Sequence, residues 1–231
     1  MNTITLQTDD GFQLPALHVP GTTADARPLV LIQEIFGIND AMRQAAQAWA
    51  AQGFEVVCPD LFARQQPGVD LDPTLPAEFQ AGVTLMQGMD PERAVRDLDA
   101  ARQWFVAQGK GEAVGALGYC LGGRLAVMMA LSTPIAAAVS YYGVGLEGLL
   151  PAQRVTMAPC LLHVAELDGF VPPEARQTIL DHAALQERMP AYVYPGCDHA
   201  FARVGGSHHD APATTLANGR TDAFFAQHLR A

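Results

Sequence analysis

The sequence predicts a three-layer α/β domain, in which a mostly parallel central sheet carries helices on both faces. Short apolar runs without strict alternation recur along the 231 residues, as in strands that are covered on both sides. Between these runs lie stretches with helical patterns, and regular alternation of this kind is typical of α/β domains. Apolar residues make up 49% of the chain, which is enough to bury a sizeable core.

Six apolar runs are predicted to form the strands. The first, PLVLIQEIFG, ends at Gly37, and the second, FEVVCPDLF, is closed by Pro59. Glycine and proline commonly end strands, because glycine favours turns and proline lacks the backbone N–H that a sheet needs. The predicted strands lie at residues 28–37, 54–62, 113–120, 136–143, 160–168 and 191–199.

Helical patterns separate the predicted strands. The clearest starts at Asp90, whose side chain can cap a helix, and Pro91 suits the first helical position. The apolar residues that follow form one stripe, which predicts an amphipathic helix. The stripe consists of Val95, Leu98, Ala101 and Phe105, and further helices are predicted at 39–52, 121–132, 173–187 and 212–229.

Residues 63–90 form the least regular part of the sequence. They contain three prolines and three glycines, so we expect an excursion over the edge of the sheet. Such an excursion could form a lid that faces the substrate. The sequence shows neither an internal repeat nor a low-complexity linker, and it therefore predicts one domain over residues 1–231.

The charge and composition of the sequence disfavour several classes of binding partner. The formal net charge is −10 and no cluster of Lys or Arg occurs, so we expect no nucleic acid and no membrane surface as partner. The first residues lack the features of a signal peptide, and no apolar run approaches the length of a membrane span. The four cysteines lack CxxC spacing, which favours free thiols in the cytoplasm. We expect a cytoplasmic monomer that acts on a small molecule.

The stretch GALGYCLGG, residues 115–123, places Cys120 at a predicted strand-to-helix turn between Gly118 and Gly122. Glycines two residues either side of a nucleophile let the strand and the helix pack closely at a strained turn. The side chain then projects at the carboxyl edge of the sheet, where α/β folds bind ligands. Taken alone, Cys120 could equally be a buried core residue, and glycine-rich turns also bind phosphate.

Two further residues follow predicted strands in an order that has chemical meaning. Asp168 ends the run CLLHVAELD, and His199 ends AYVYPGCDH. A cysteine nucleophile needs a base, the base needs a residue that orients it, and α/β-hydrolases carry these three groups in the order nucleophile, acid, histidine. Asp168 alone could cap a helix, and His199 alone could be a surface histidine. All three in this order favour a nucleophile at Cys120.

On these residues the chain resembles the dienelactone hydrolase (carboxymethylenebutenolidase) family of the α/β-hydrolase superfamily. The resemblance implies a three-layer α/β-hydrolase fold, a triad of Cys120, Asp168 and His199, and no metal or cofactor. It implies that the protein opens the lactone ring of carboxymethylenebutenolide to give maleylacetate, through a cysteine acyl-enzyme. The matching segments are LIQEIFGIN (31–39), PDLFAR (59–64), GYCLGG (118–123), SYYG (140–143), ELDGFVP (166–172) and DHAFAR (198–203).

The resemblance also implies a role for Glu34 and an oxyanion hole. In the family this glutamate contacts the resting thiol and accepts its proton when substrate binds. A buried carboxylate would be costly without a specific partner, although a satisfied buried acid is the simpler interpretation. The backbone N–H groups of Ile35 and Leu121 are the expected oxyanion donors, Leu121 because it directly follows the nucleophile and opens a helix.

Three more residues match positions that bind substrate in the family. Arg203 is expected to hold the carboxylate of an anionic lactone, and Phe36 and Tyr141 are expected to line the pocket. The chain departs from the family in two places: residues 75–82, LPAEFQAG, lack a second arginine, and Ala200 replaces a serine. These departures leave hydrolysis intact but weaken the prediction of a dienelactone substrate.

Other functions are compatible with parts of the sequence. A related hydrolase acting on other small carboxylic esters or thioesters is the main alternative. A protein of this fold that binds a small molecule without turnover would be expected to have a broken triad. A zinc site at Cys197, His199, His208 and His209 is disfavoured, because the paired spacing of zinc ligands is absent.

Overall fold

The computed structural model describes residues 1–229. The chain divides into two compact units, and the boundary lies between Ala116 and Leu117. Within the described range, no helix is both long enough and apolar enough to cross a membrane. The prediction of one domain over 1–231 stays a prediction.

The first unit contains four strands whose order is β1-β2-β4-β3. β1 and β2 form an antiparallel pair, β2 is antiparallel to β4, and β3 is parallel to β4. The fully buried residues of β3 and β4 explain why their sequences are continuous apolar runs. The elements are β1 (Asn2–Gln7), β2 (Gln13–Val19), β3 (Arg27–Ile32), α1 (Asp40–Ala51), β4 (Phe54–Pro59), α2 (Pro76–Gln87) and α3 (Pro91–Ala107).

The second unit begins inside the strand Gly115–Tyr119, which crosses the boundary. Its strand order is β5-β6-β7-β8, and β6, β7 and β8 pair in parallel. Helix α4 joins β5 to β6 and α5 joins β7 to β8, whereas the connection from β6 to β7 contains only a short 3-10 turn. The elements are β5 (Gly115–Tyr119), α4 (Leu121–Ser132), β6 (Ala137–Tyr141), β7 (Cys160–Ala165), α5 (Pro173–Leu185), β8 (Ala191–Tyr194) and α6 (Ala211–His228), with a short 3-10 turn at Leu146–Gly148.

The helices begin where capping chemistry allows. The Asp90 carboxylate accepts hydrogen bonds from the backbone N–H groups of Glu92 and Arg93, as the sequence predicts. Asn39 caps α1 in the same way, and Asp210 caps α6. Such caps satisfy backbone N–H groups that have no partner inside the helix.

Three elements were not predicted. β1 and β2 were missed because the N-terminal region has short mixed patterns, and β1 is mostly exposed. α2 lies inside the predicted excursion 63–90. Among its residues only Gly82 is buried, so its sequence shows no apolar stripe that would predict a helix.

The excursion supports the loop that follows β3. Ile38 N–H donates to the carbonyl of Val69 at 3.1 Å, and Leu71 N–H donates to the carbonyl of Phe36 at 3.0 Å. A side chain at Gly82 would place its Cβ 2.5 Å from the Ile35 carbonyl oxygen, so α2 can approach this loop only with glycine there. The excursion thus fixes residues 35–38, and its predicted action as a lid stays a prediction.

Candidate active site

Cys120 lies at the sharp turn between β5 and α4. Its backbone has φ 55° and ψ −115°, a conformation that costs a residue with a side chain about 1–3 kcal/mol. The turn is held from both sides, because Cys120 N–H donates to the carbonyl of Tyr141 at 3.0 Å and its carbonyl accepts from Arg124 N–H at 3.2 Å. A strained turn that is held in this way presents its side chain at the end of the strand.

The glycines around Cys120 have a steric reason. A Cβ at Gly118 would lie 2.0 Å from the Gly122 carbonyl oxygen, which no side chain could tolerate. A Cβ at Gly123 would lie 2.8 Å from Ser140 Oγ and 2.9 Å from the Tyr141 carbonyl oxygen. The first turn of α4 therefore packs directly on the ends of β5 and β6. This close packing is the reason for the sequence GYCLGG.

The N-terminus of α4 points its backbone donors at the position of Cys120. Leu121 is the first residue of the helix, and the first N–H groups of a helix have no acceptor within it. The aligned peptide dipoles add partial positive charge at this end. An anionic sulfur or oxygen beside Cys120 is therefore electrostatically favoured.

His199 and Asp168 form a buried hydrogen-bonded pair. His199 Nδ1 lies 2.8 Å from Asp168 Oδ2, and the other carboxylate oxygen of Asp168 accepts from Phe170 N–H at 2.9 Å. The side chains are 8% and 2% exposed. Asp168 therefore has a partner for each oxygen, and it fixes the orientation of the imidazole ring.

The charge of the imidazole follows from its neighbours. Burial lowers the pKa of His199, but hydrogen bonds and charge interactions with Asp168 and Cys120 outweigh burial and raise the pKa to about 10. Because Nδ1 is used by Asp168, the nitrogen that interacts with Cys120 is Nε2. The second unit thus brings together the three residues that the sequence placed in a triad.

The backbone of His199 is held by its neighbours in the loop after β8. Its N–H donates to Asp198 Oδ1 at 2.6 Å, and its carbonyl oxygen lies 3.0 Å from His208 Nδ1. His208 Nδ1 also lies 3.6 Å from Asp198 Oδ2. The next residue, Ala200, has a positive φ of 63°, so the chain turns away immediately after the histidine. Asp198 and His208 thus form hydrogen bonds to the backbone N–H and the backbone carbonyl of His199, respectively.

Two aromatic residues that the sequence did not single out contact the imidazole. The ring centroids of Tyr142 and His199 are 5.1 Å apart, and those of Phe170 and His199 are 4.8 Å apart, both edge to face. Phe170 is 60% exposed, so it forms an outer wall over the histidine. The signal was present in the matching segments SYYG and ELDGFVP, but sequence alone does not say which aromatic faces the site.

Tyr141 is predicted to line the pocket, but its side chain lies in the core, whereas the ring of its neighbour Tyr142 contacts His199. The Tyr141 side chain is 0% exposed, and its hydroxyl lies 2.8 Å from Asn218 Oδ1 and 2.7 Å from Thr221 Oγ1, both on α6. Its contribution to the site in this structure is the carbonyl that holds Cys120. A substrate contact from the Tyr141 side chain stays a prediction.

The remaining predicted residues lie in two loops. Glu34, Ile35 and Phe36 follow β3 in the first unit and are 3%, 6% and 3% exposed. Phe36 packs against Phe79 of α2, with ring centroids 5.9 Å apart. Arg203 is half-buried in the turn after His199, where its N–H donates to the Ala200 carbonyl at 2.9 Å.

The cysteines and histidines bear on the possibility of a metal site. All four cysteines are free and buried. Over the part of the chain that the structure describes, no group of three or more His, Cys, Asp or Glu side chains is arranged to hold a metal ion. His208 instead contacts the backbone carbonyl of His199.

Comparison with known proteins gives close relatives over nearly the whole chain. Residues 14–229 match the Dienelactone hydrolase family. The chain is 45% identical over 225 residues to a protein of Azospirillum brasilense named "Putative carboxymethylenebutenolidase", with 96% of each chain covered. It is 39% identical over 227 residues to the carboxymethylenebutenolidase of Pseudomonas putida, covering 96% of this chain and 95% of that protein.

Solved structures agree with this result. The structure named "Crystal Structure of Putative Dienelactone Hydrolase from Klebsiella pneumoniae subsp. pneumoniae MGH 78578" has a TM-score of 0.81 and 25% identity, with 98% of both chains covered. The dienelactone hydrolase of Anabaena variabilis has a TM-score of 0.70 at 18% identity, with 99% of this chain and 98% of that chain covered. These likenesses confirm the predicted three-layer α/β-hydrolase fold with a mostly parallel sheet.

Proposed function

Because the chain belongs to the dienelactone hydrolase family, we propose that it opens the lactone ring of carboxymethylenebutenolide to give maleylacetate. The observation that carries the proposal is the buried pair of His199 and Asp168 beside Cys120, which sits on a strained turn at a helix N-terminus. Nucleophile, base and orienting acid are the groups that acyl transfer requires. Relatives at 39% and 45% identity bear the name of this activity.

The first half of the reaction forms an acyl-enzyme. The Cys120 thiolate attacks the lactone carbonyl carbon, a C–S bond forms, and the carbonyl oxygen becomes an oxyanion. When the tetrahedral intermediate collapses, the ring C–O bond breaks and the ring oxygen leaves as an enolate. The enolate takes up the proton of the charged His199 imidazole, which leaves that imidazole neutral, so this step needs no strong acid from the protein.

The second half releases the product. His199 Nε2 removes a proton from a water molecule, whose oxygen attacks the thioester carbonyl. The C–S bond then breaks and maleylacetate leaves; His199 is again charged, and the proton held by Glu34 returns to the sulfur and restores the resting thiol. Asp168 holds the imidazole in the required tautomer throughout and stabilises its positive charge.

Two backbone N–H groups are proposed to stabilise the oxyanion. For Leu121 the support is its position as the first residue of α4, directly after the nucleophile. For Ile35 the support is the family resemblance and the fixed loop in which it lies. Removing one such donor typically costs about 10²–10³ in kcat.

Glu34 is proposed to take the proton of the Cys120 thiol when substrate binds. The support is the family resemblance together with the burial of Glu34, because a carboxylate is costly to bury without a specific purpose. A thiol that stays protonated until substrate arrives would be protected from oxidation and alkylation, since the thiolate is the reactive form.

Arg203 is proposed to bind the substrate carboxylate, and Phe36 and Tyr141 are proposed to line the pocket. A protein with a net charge of −10 repels anions at long range, so a local cation is needed for an anionic lactone. We further propose that the enzyme acts as a monomer in the cytoplasm, which its four free cysteines support.

A panel of substrates tests the function. The wild-type protein should hydrolyse the dienelactone with a higher kcat/KM than neutral aryl esters of similar size. Cys120→Ala should stay folded and retain less than a few per cent of the turnover, whereas Cys58→Ala, a buried cysteine of β4, should remain active. A wild-type enzyme that prefers simple esters or thioesters would overturn the lactone assignment.

A further inference from the structure

Behind the turn that carries Cys120, side chains of the second unit form an unbroken chain of hydrogen bonds. His163 Nδ1 lies 2.7 Å from Tyr194 OH, and His163 Nε2 lies 2.8 Å from Thr221 Oγ1. Tyr141 OH continues the chain, 2.7 Å from Thr221 Oγ1 and 2.8 Å from Asn218 Oδ1. His163, Tyr141 and Thr221 are at most 1% exposed, so these groups depend on each other rather than on bulk water.

The donor and acceptor of each hydrogen bond in this series can be assigned in one consistent way. Tyr141 donates to Asn218 Oδ1, so the Tyr141 oxygen accepts from the Thr221 hydroxyl. Thr221 Oγ1 then accepts from His163 Nε2–H, and Nδ1 is left to accept from the Tyr194 hydroxyl. Every hydroxyl donates once, and His163 is the neutral Nε2–H tautomer. A protonated His163 would donate from both nitrogens and deprive the Tyr194 hydroxyl of its acceptor.

The surroundings of His163 favour the same neutral form. Burial, followed by the charge of Arg220, lowers the pKa of His163 to about 3. Arg220 lies at the outer end of the chain, with its guanidinium carbon 3.9 Å from the centre of the Tyr192 ring and a hydrogen bond to Tyr194. The series of hydrogen bonds therefore begins at the Arg220 guanidinium and runs inward through Tyr194 and His163, and each group donates to the next.

The residues of this chain also hold the backbone near the reacting groups. The Tyr141 carbonyl accepts from Cys120 N–H at 3.0 Å, and the His163 carbonyl accepts from Tyr142 N–H at 2.8 Å. Tyr142 has a positive φ of 38°, which is strained for a bulky residue, and its ring packs on the imidazole of His199. Two adjacent residues thus connect the hydrogen-bonded side chains to the site: Tyr141 contacts Cys120, and Tyr142 contacts His199.

We propose that His163 is a positioning residue, whose side chain fixes Tyr141 and whose carbonyl fixes Tyr142, so that Cys120 and His199 keep their relative placement. The inference rests on the proposed function, because it takes Cys120 and His199 as the reacting pair. A misplacement of about 1 Å between reacting groups can cost about a hundredfold in rate. Loosening the chain should therefore lower the rate of chemistry more than it weakens substrate binding.

Thr221 offers the cleanest test, since valine has nearly its shape and lacks the hydroxyl. Thr221→Val disconnects His163 from Tyr141, whereas Thr221→Ser keeps the connection. On p-nitrophenyl acetate, we expect Thr221→Val to lower kcat about tenfold while KM changes less than about twofold. Thr221→Ser should recover most of the loss. Tyr194→Phe, which breaks the outer bond of the chain, should show the same split if Thr221→Val does not fold.

Two controls separate positioning from loss of stability and from failure of the lactone assignment. Val56→Ala, a buried change in β4, should lower the free energy of unfolding and leave kcat unchanged. The pH profile of Cys120 alkylation by iodoacetamide needs no substrate, and it should shift in Thr221→Val but not in Val56→Ala. A folded Thr221→Val with wild-type kcat and an unshifted alkylation profile would overturn the proposal, whatever the wild type does with lactones.

Discussion

Asp168 Oδ2 and His199 Nδ1 are 2.8 Å apart in the fold, although 31 positions separate the two residues in the chain. Both side chains are buried, and hydrogen bonds to an ionised carboxylate are shorter and stronger than those between neutral groups. The bond determines which imidazole nitrogen is left for the Cys120 thiol. We therefore expect proton transfer at the site to depend on this bond.

Replacing the Asp168 carboxylate by an amide should lower the activity severely. Asp168→Asn keeps the shape, but it removes one of the charges that raise the pKa of His199 and no longer selects the tautomer. We expect kcat/KM for an aryl ester to fall about 10³–10⁴-fold, by analogy with other triads. Asp181→Asn, an exposed change on α5, is the matched control and should leave kcat/KM unchanged. A loss of less than tenfold in Asp168→Asn would contradict the assigned role.

His163 should make the fold sensitive to acid. Its pKa is about 3 in the folded protein because of burial and then the charge of Arg220, against about 6.5 when unfolded. Since the folded pKa is the lower one, the full stability is present above pH 6.5, and it falls as the unfolded chain takes up the proton. Between pH 7 and pH 5 we expect a loss of about 2 kcal/mol from this residue.

Urea unfolding at the two pH values measures this loss. His163→Gln cannot be protonated, so its free energy of unfolding should change less between pH 7 and pH 5 than that of the wild type, by about 2 kcal/mol. The facing groups Tyr194, Thr221 and Arg220 are common to both proteins. Equal pH dependence in the two proteins would mean that folding does not lower the pKa of His163.

Glu34→Gln should change the reactivity of Cys120 before any substrate is added. If Glu34 keeps the resting thiol protonated, the wild-type protein should react slowly with iodoacetamide, and Glu34→Gln should react faster. Glu92→Gln, an exposed change in the first turn of α3, serves as the control. Alkylation rates measured against pH provide the comparison, and identical profiles for wild type and Glu34→Gln would refute the proposed proton transfer.

The fold was predictable where burial imposes a continuous pattern. All six predicted strands exist, because strands covered on both faces leave apolar runs. Their ends were less predictable: the run 28–37 contains a strand only as far as Ile32, and residues 33–37 are a loop. Apolar residues continue there because the loop is buried under the excursion. α2 escaped prediction for the opposite reason, since it buries almost nothing.

The sequence predicted the three candidate residues that the structure brings together, but not the residues that support them. Cys120, Asp168 and His199 are predicted as a triad because of their order in the chain and their places at strand ends, and their catalytic roles stay a prediction. Tyr142, whose ring contacts the imidazole, was not predicted, whereas its neighbour Tyr141 in SYYG was. Adjacent residues at a strand end point to opposite faces, so Tyr141 enters the core while Tyr142 packs on the imidazole. Only the tertiary structure makes that choice visible.

His208 should matter through the backbone of His199, and His209 beside it should not. The Nδ1–H of His208 donates to the His199 carbonyl, and His209 is the next residue in the chain. We expect His208→Ala to lower kcat about threefold to tenfold, because the imidazole loses orientation. His208→Asn, which keeps a donor at a similar position, should be closer to wild type. If His209→Ala lowers kcat as much as His208→Ala, the loop as a whole is responsible and not the bond.

Arg203 should distinguish charged from neutral substrates. A charge-assisted hydrogen bond contributes about 1.5–3 kcal/mol, so Arg203→Ala should lose about tenfold to a hundredfold in kcat/KM on the anionic lactone. The second arginine of the family is absent from residues 75–82, which form the start of α2, and this pushes the expected loss to the upper end. On a neutral ester of similar size the loss should be much smaller. Arg188→Ala, an exposed arginine before β8, controls for the change in net charge. Equal losses on both substrates would mean that Arg203 supports the His199 loop, and the carboxylate-binding role would be wrong.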